Sequence, residues 1–162
     1  MAFVPRDFLV PPMFETDRFR LRALTVHDLV KDYDAVMTSR DHLWRMFGDV
    51  WGWPPADLTL EQDLIDLGWH QKEFQLRSSF DYAVMSLDDT RLLGCVYIDP
   101  TTTAGYDAEV CMWARQSELA HGLDEVLFTT VQTWITQAWS FRRVGYPGRE
   151  VAWDAWAALP QK

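Results

Sequence analysis

The sequence predicts an α/β (α+β) domain in which helices cover a meander of antiparallel strands. Three observations carry this expectation. A period-two strand near the start runs into a capped helix, two turn-linked strand pairs follow, and a long helix with a continuous apolar stripe comes behind them. The 162 residues suffice for one domain with its own core. No repeat, low-complexity segment or linker interrupts them, so residues 1–162 read as a single domain. Residues 1–13 form an extended arm and 141–162 a short closing segment.

Taken in order, Met1 to Pro12 contains Pro5, Pro11 and Pro12 without a small-residue cleavage site, which reads as an arm rather than a secretion signal. Arg18 to Leu24 alternates charged and apolar residues, as a half-exposed strand does. Thr25 offers an N-cap, Asp28 places negative charge in the first turn, and Leu29, Val30, Tyr33, Val36 and Met37 follow at helical spacing. Ser39 to Phe47 predicts a second helix ended by Gly48. Trp51-Gly52-Trp53-Pro54-Pro55 is a rigid aromatic loop, read as a lid on the core with a binding surface as the alternative.

Thr59 and Gln62 have capping-box spacing, and Leu60, Leu64, Leu67 and Phe74 continue an apolar stripe. Phe80 to Ser86 and Arg91 to Asp99 are strands joined by the turn Leu87-Asp88-Asp89-Thr90. A polar turn at Pro100 to Gly105 leads to a third strand, Asp107 to Ala114. Leu123, Val126, Leu127, Val131, Trp134, Ile135 and Ala138 then mark the helix that covers the apolar face of the meander. Phe141 to Tyr146 reads as one more strand, Pro147-Gly148 as a turn, and Val151 to Leu159 as a short amphipathic piece.

Composition narrows the classes. With 48% hydrophobic and 24% charged residues the chain is globular rather than disordered. A net charge of −9 repels nucleic acid and anionic membrane surfaces, and it attracts a cationic amine or a basic partner. No apolar run reaches the roughly 20 residues that span a bilayer. Cys95 and Cys111 lie in apolar strand contexts without a CxxC, as reduced buried thiols do, so a cytoplasmic location is expected. His27, His42, His70 and His121 are scattered with no HExxH or paired Cys/His spacing, and no metal site is expected.

Three segments, in order, resemble the GNAT N-acetyltransferase family. Phe14-Glu15-Thr16-Asp17-Arg18-Phe19-Arg20-Leu21-Arg22 is similar to its opening "ET-x-R-L-x-L-R" strand. Arg91-Leu92-Leu93-Gly94-Cys95-Val96-Tyr97-Ile98 resembles its "G-x-LIG-x-V-x-L" third strand, and Asp107-Ala108-Glu109-Val110-Cys111-Met112-Trp113 its fourth, with an acidic start. The resemblance covers roughly residues 14 to 140 and implies a mixed, mostly antiparallel central sheet flanked by helices. It also implies that the fourth strand splays from the fifth and that acetyl-CoA lies in the gap. The pantetheine amides would then pair with the backbone of Cys111, Met112 and Trp113.

The family cradles the pyrophosphate in a loop of the form Q/R-x-x-G-x-G/A at a helix N-terminus, where small residues let backbone N–H groups approach. Here the corresponding stretch is Leu119 to Asp124, which makes His121, Gly122, Leu123 and Asp124 the expected contacts. Leu119 stands at the Gln/Arg position, Gly122 matches the first glycine, and Asp124 falls where the second belongs. Asp124 and Glu125 suit a helix N-terminus but would repel a pyrophosphate. Two like charges about 4 Å apart cost on the order of 4 kcal/mol at an effective dielectric near 20.

For chemistry, the resemblance implies Glu109 as the general base, with Asp107 second. The alternative for these carboxylates is exposure or pairing with Arg18, Arg20 or Arg22. Tyr146 is the candidate general acid, against a simple packed aromatic. Cys111 has no partner placed to make it a nucleophile. The family's later elements do not fit into the remaining residues, and a second subunit covering the short edge, a homodimer, is expected. The resemblance therefore implies an acetyl transfer to a small or protein amine. The alternative is a GNAT-fold binding or dimerising module that takes no acetyl-CoA. A splayed strand pair after the fourth strand favours the first, and a closed sheet favours the second.

Overall fold

The computed structural model describes residues 3–162, and Met1 and Ala2 of the arm lie outside the described residues. Six strands form one sheet in chain order: β1 (Met13–Glu15), β2 (Arg20–Ala23), β3 (Phe80–Met85), β4 (Leu92–Pro100), β5 (Ala108–Ala114) and β6 (Val144–Gly145). Neighbours are antiparallel up to β5, and β6 joins β5 in parallel. The helices are α1 (Leu29–Thr38), α2 (Arg40–Trp51), α3 (Leu60–Leu76), α4 (Gln116–Leu119), α5 (Leu123–Ala138) and α6 (Trp153–Ala157).

The pleat sends alternate residues of each strand to opposite faces, and each face has its own core. Val84, Val96, Ile98, Val110 and Met112 face α5, whose Leu127, Val131 and Ile135 are buried against them. Ala83, Met85, Cys95 and Trp113 face the other way, toward Val36, Leu43, Phe47 and Leu67 of α1, α2 and α3. Polar groups at the ends are served locally. Thr59 accepts from the Gln62 N–H at 3.2 Å while Gln62 accepts from the Thr59 N–H at 2.9 Å, the reciprocal cap expected from the sequence.

The arm packs onto the core: Val4 is buried, Phe3 stacks on Phe80 and Phe141, and the segment ends in β1. Three expectations change. Gly48 does not stop α2, because it lies inside the helix under the Trp44 ring, and the helix ends at left-handed Gly52. The apolar stripe of α3 does not face inward as a whole. Leu60 and Leu64 are 49% and 42% exposed, whereas Asp63 and Leu67 are buried. The strand expected over Phe141 to Tyr146 shortens to Val144–Gly145. No helix is long and apolar enough to cross a membrane among the described residues.

Candidate functional site

β5 and β6 pair through only two positions, Ala108 with Val144 and Glu109 with Gly145. The chain then turns away at Pro147-Gly148, and the two strands part. A cavity of about 250 Å³ fills the opening, lined by Cys111 and Met112 of β5, by Arg45, Met46 and Phe47 of α2, and by Pro147, Gly148, Arg149 and Trp153. The sheet is splayed, not closed.

Arg149 occupies this groove. Its guanidinium donates to both carboxylate oxygens of Asp124 at 2.8 Å each and to the Met112 carbonyl at 3.0 Å, and it lies over the Phe128 ring. The charge of Asp124 at the N-terminus of α5 is thus matched by a bidentate partner that is 13% exposed. This alters the electrostatics expected from the sequence, where Asp124 stood as an unpaired repellent; Glu125 points into solvent.

A second, larger cavity of about 310 Å³ lies between α1, α3, β3 and β4. Its helical wall carries Asp63, Asp66, His70 and Glu73, spaced three, four and three residues apart on one face of α3. Its floor is Asp81, Tyr97 and Asp99, and Trp51 at the end of α2 and Trp53 of the following loop close it. The Tyr97 ring stacks on His70 and its hydroxyl accepts from Trp113 Nε1 at 2.9 Å.

Burial dominates the acid–base behaviour of this cavity. Asp32 from α1 is held well above the usual carboxyl range by burial and by the charge of Asp63. Burial pushes Asp63 up to about 6. Asp99 is pushed up to about 6 by burial and by Asp81, although Ser79 donates to it. Burial opposes the charged form of His70, yet its 2.8 Å hydrogen bond to Asp81, with the charges of Asp32 and Asp66, raises it.

The two cavities meet at an aromatic partition. Phe47, a wall of the groove, stacks face to face on Trp51 at 4.3 Å, and Trp51 walls the acidic cavity. Trp153 packs edge-on against both. Beneath them Tyr97 of β4 stands directly opposite Cys111 of β5, one lining each cavity.

Of the residues singled out from the sequence, Cys111 and Met112 line the groove, and Asp124 reaches it through Arg149. Gly122, left-handed at φ 70°, caps α5; Leu123 is buried in the core, and Trp113 is fully buried as the support of Tyr97. His121 is exposed and lines neither cavity, its carbonyl accepting from Arg18 at 3.0 Å. Glu109 is half-buried, stands opposite Asp99 in the β4–β5 register and accepts from Trp156 Nε1 at 3.3 Å. Asp107 caps the Arg142 and Arg143 N–H groups instead of pairing with an arginine of β2. Tyr146 is packed edge-on against Phe128 in the α5-side core, where burial raises it to about 12, and it does not join Glu109. Burial also raises the Cys111 thiol, which suits an inert side chain. The acidic cavity went unread, although a carboxylate inside the apolar run of β3 and the Asp63, Asp66, His70, Glu73 spacing both signal it.

No protein-family model matches the chain. No curated protein matches it either. Solved structures do. The ribosomal-protein-S5-alanine acetyltransferase from Vibrio fischeri is 18% identical, with a TM-score of 0.59 over 78% of this chain and 68% of that one. The Salmonella typhimurium acetyltransferase that modifies the N-terminal serine of ribosomal protein L7/L12 is 14% identical, with a TM-score of 0.61 over 80% and 70%. The microcin C7 self-immunity acetyltransferase MccE, solved with acetyl-CoA and AMP, is 12% identical, with a TM-score of 0.59 over 81% and 71%. At such identities the likeness is one of architecture, and together with the splayed β5–β6 pair it establishes that this chain has the GNAT acetyltransferase fold.

Proposed function

We propose that the chain is an acyl-CoA-dependent N-acetyltransferase acting on an amine. The observation that carries this reading is the junction of a groove at the splayed strands with an acidic cavity, the two separated only by Phe47, Trp51 and Trp153. A donor lying in one and an ammonium drawn into the other meet near Tyr97 and Cys111 when the Phe47–Trp51–Trp153 partition parts.

The groove residues fit an acyl-CoA in character. Arg45 and, when released from Asp124, Arg149 offer positive charge to phosphates, and Cys111 and Met112 line the inner stretch. When bound, the acyl-CoA supplies an acyl group activated as its thioester. The rest of the chemistry falls to the cavity. An ammonium must lose a proton before its nitrogen can attack, and Asp99 is the carboxylate we assign as acceptor, with Glu109 behind it on β5 as the electrostatic partner. The aromatic partition excludes water from the meeting point.

One observation favours a second reading. Arg149 spans the groove to the Met112 carbonyl, as a filler would in a GNAT-fold module that takes no acyl-CoA. Calorimetric titration with acetyl-CoA, followed by an assay of thiol release with added amines, separates the two. Micromolar binding with amine-dependent thiol release is expected. No binding up to millimolar concentration would leave the module.

A further inference from the structure

Helical geometry gives α3 two faces. Asp63, Leu67, His70 and Phe74 turn inward, and about half a turn away Glu61, Ile65, Gly68, Trp69, Lys72 and Leu76 form the opposite stripe. That stripe is bare: Ile65, Trp69 and Leu76 are 63%, 57% and 65% exposed. With Leu60 and Leu64 beside them they leave on the order of 600 Å² to solvent, the upper end of what a monomer exposes as one patch. Adding the flanking polar atoms brings the face near the roughly 800 Å² that each partner contributes to a standard interface.

Two further features of the stripe say what covers it. Gly68 lies at its middle, where glycine is disfavoured in a helix. No neighbour inside the chain requires it, since a Cβ there would meet only Val26 Cγ1 at 3.9 Å. The gap is open toward solvent and suits a side chain that arrives from outside. Glu61 and Lys72 carry opposite charges toward the two ends of the stripe, and neither enters an ion pair among the described residues. Lys72 Nζ lies over the Trp69 ring at 4.8 Å instead.

We infer that α3 docks antiparallel against α3 of a second copy of this chain, about a two-fold axis level with the Asp66–Leu67 step. In such a pair, positions whose numbers add to the same value stand at one height, and every contact occurs twice. Setting Lys72 opposite Glu61 of the second copy also sets Ile65 opposite its Gly68, with its Trp69 one residue, about 1.5 Å, along the axis. A single register therefore pairs both charges, fills both glycine gaps and packs both indoles. A parallel pair would set Lys72 on Lys72 and Glu61 on Glu61. Charge points the same way: the chain carries −9, but the stripe is neutral, so two copies repel least where these faces meet. The second subunit thus sits on the back of the helix whose front walls the acidic cavity, rather than at the short edge by β6. The inference does not depend on the transferase reading.

The test is sedimentation equilibrium on the full chain and on variants at three exposed positions, with circular dichroism to verify that each keeps the fold. A monomer–dimer equilibrium is expected. Ile65→Glu should weaken it about a hundredfold, and Lys72→Glu and Glu61→Lys about tenfold or more each, because like charges then face one another. The double variant Glu61→Lys with Lys72→Glu should recover most of the loss, since it restores opposite charges in the same register. A chain that stays monomeric to millimolar concentration overturns the inference and leaves the face to another protein or to lipid, which cosedimentation with phosphatidylcholine vesicles tells apart. A dimer indifferent to Ile65→Glu overturns it too and moves the interface elsewhere. Losses in both single charge variants without recovery in the double overturn the antiparallel register.

Discussion

Arg149 and Asp124, 25 residues apart in the chain, are joined by two hydrogen bonds of 2.8 Å, and the same guanidinium holds the Met112 carbonyl at 3.0 Å. One side chain thus neutralises the carboxylate at the N-terminus of α5 and caps the edge of β5 that the splay exposes. The pair lowers the apparent obstacle to phosphate binding by leaving the position of Asp124 neutral rather than negative.

That arrangement predicts opposite effects for its two members. Asp124→Asn removes a negative charge from the helix N-terminus and frees Arg149, so acetyl-CoA affinity should rise by about tenfold, or 1.4 kcal/mol. Arg149→Ala leaves Asp124 unpaired in the groove and should lower affinity by about tenfold or more. Calorimetry on both variants reads the signs directly. Tighter binding by Arg149→Ala would identify the guanidinium as a plug and support the noncatalytic reading.

The acid limb of the rate profile should belong to Asp99. Its carboxyl is pushed up to about 6 by burial and by Asp81, and a base acts only when ionised. The rate constant kcat/KM should therefore rise with pH up to about 6 and level off above it. Asp99→Asn should abolish this limb and lower kcat by about 10²- to 10⁴-fold. Glu109→Gln removes a neighbouring negative charge that helps hold Asp99 up, so the limb should move to lower pH with a smaller loss of rate. A limb that stays in place in Asp99→Asn would assign the base elsewhere, with Glu109 or Asp63 next in line.

Much of the fold was legible because it rests on local periodicity. The alternation of Arg20 to Ala23, the Thr59–Gln62 cap and the apolar stripe of α5 each depend on a few neighbouring residues, and each forms where expected. The end of α2 was misplaced because Gly48 and Gly52 are both plausible stops, and only the packing of Trp44 over Gly48 separates them. At the site, Cys111 and Met112 were legible through the order of strands. Arg149 was not, since no local pattern announces that a residue after a turn will reach back to the start of α5. The acidic cavity was hidden differently. Attention to Leu60 and Leu64 placed the wrong face of α3 inward, and the carboxylates on the buried face came with Asp32, Asp81 and Asp99 from three distant segments.

The strand pair that floors both cavities should depend on the absence of one side chain. Gly94 of β4 faces Ala114 across the ladder, and a Cβ at Gly94 would lie 2.0 Å from the carbonyl oxygen of Trp113. That atom belongs to backbone and cannot swing aside, so the strands themselves would have to separate. Gly94→Ala should therefore destabilise the fold by about 3 kcal/mol, lowering Tm by roughly 6–12 °C for a chain of this size. Gly68→Ala is the control. Its Cβ would meet only Val26 Cγ1 at 3.9 Å, and it lies inside α3, where alanine is the better helix former by about 1 kcal/mol. Thermal unfolding of the two variants should shift in opposite directions. Equal shifts would mean that β4 and β5 can part without cost, and then the Tyr97–Cys111 register would not be the fixed floor on which both cavities are built.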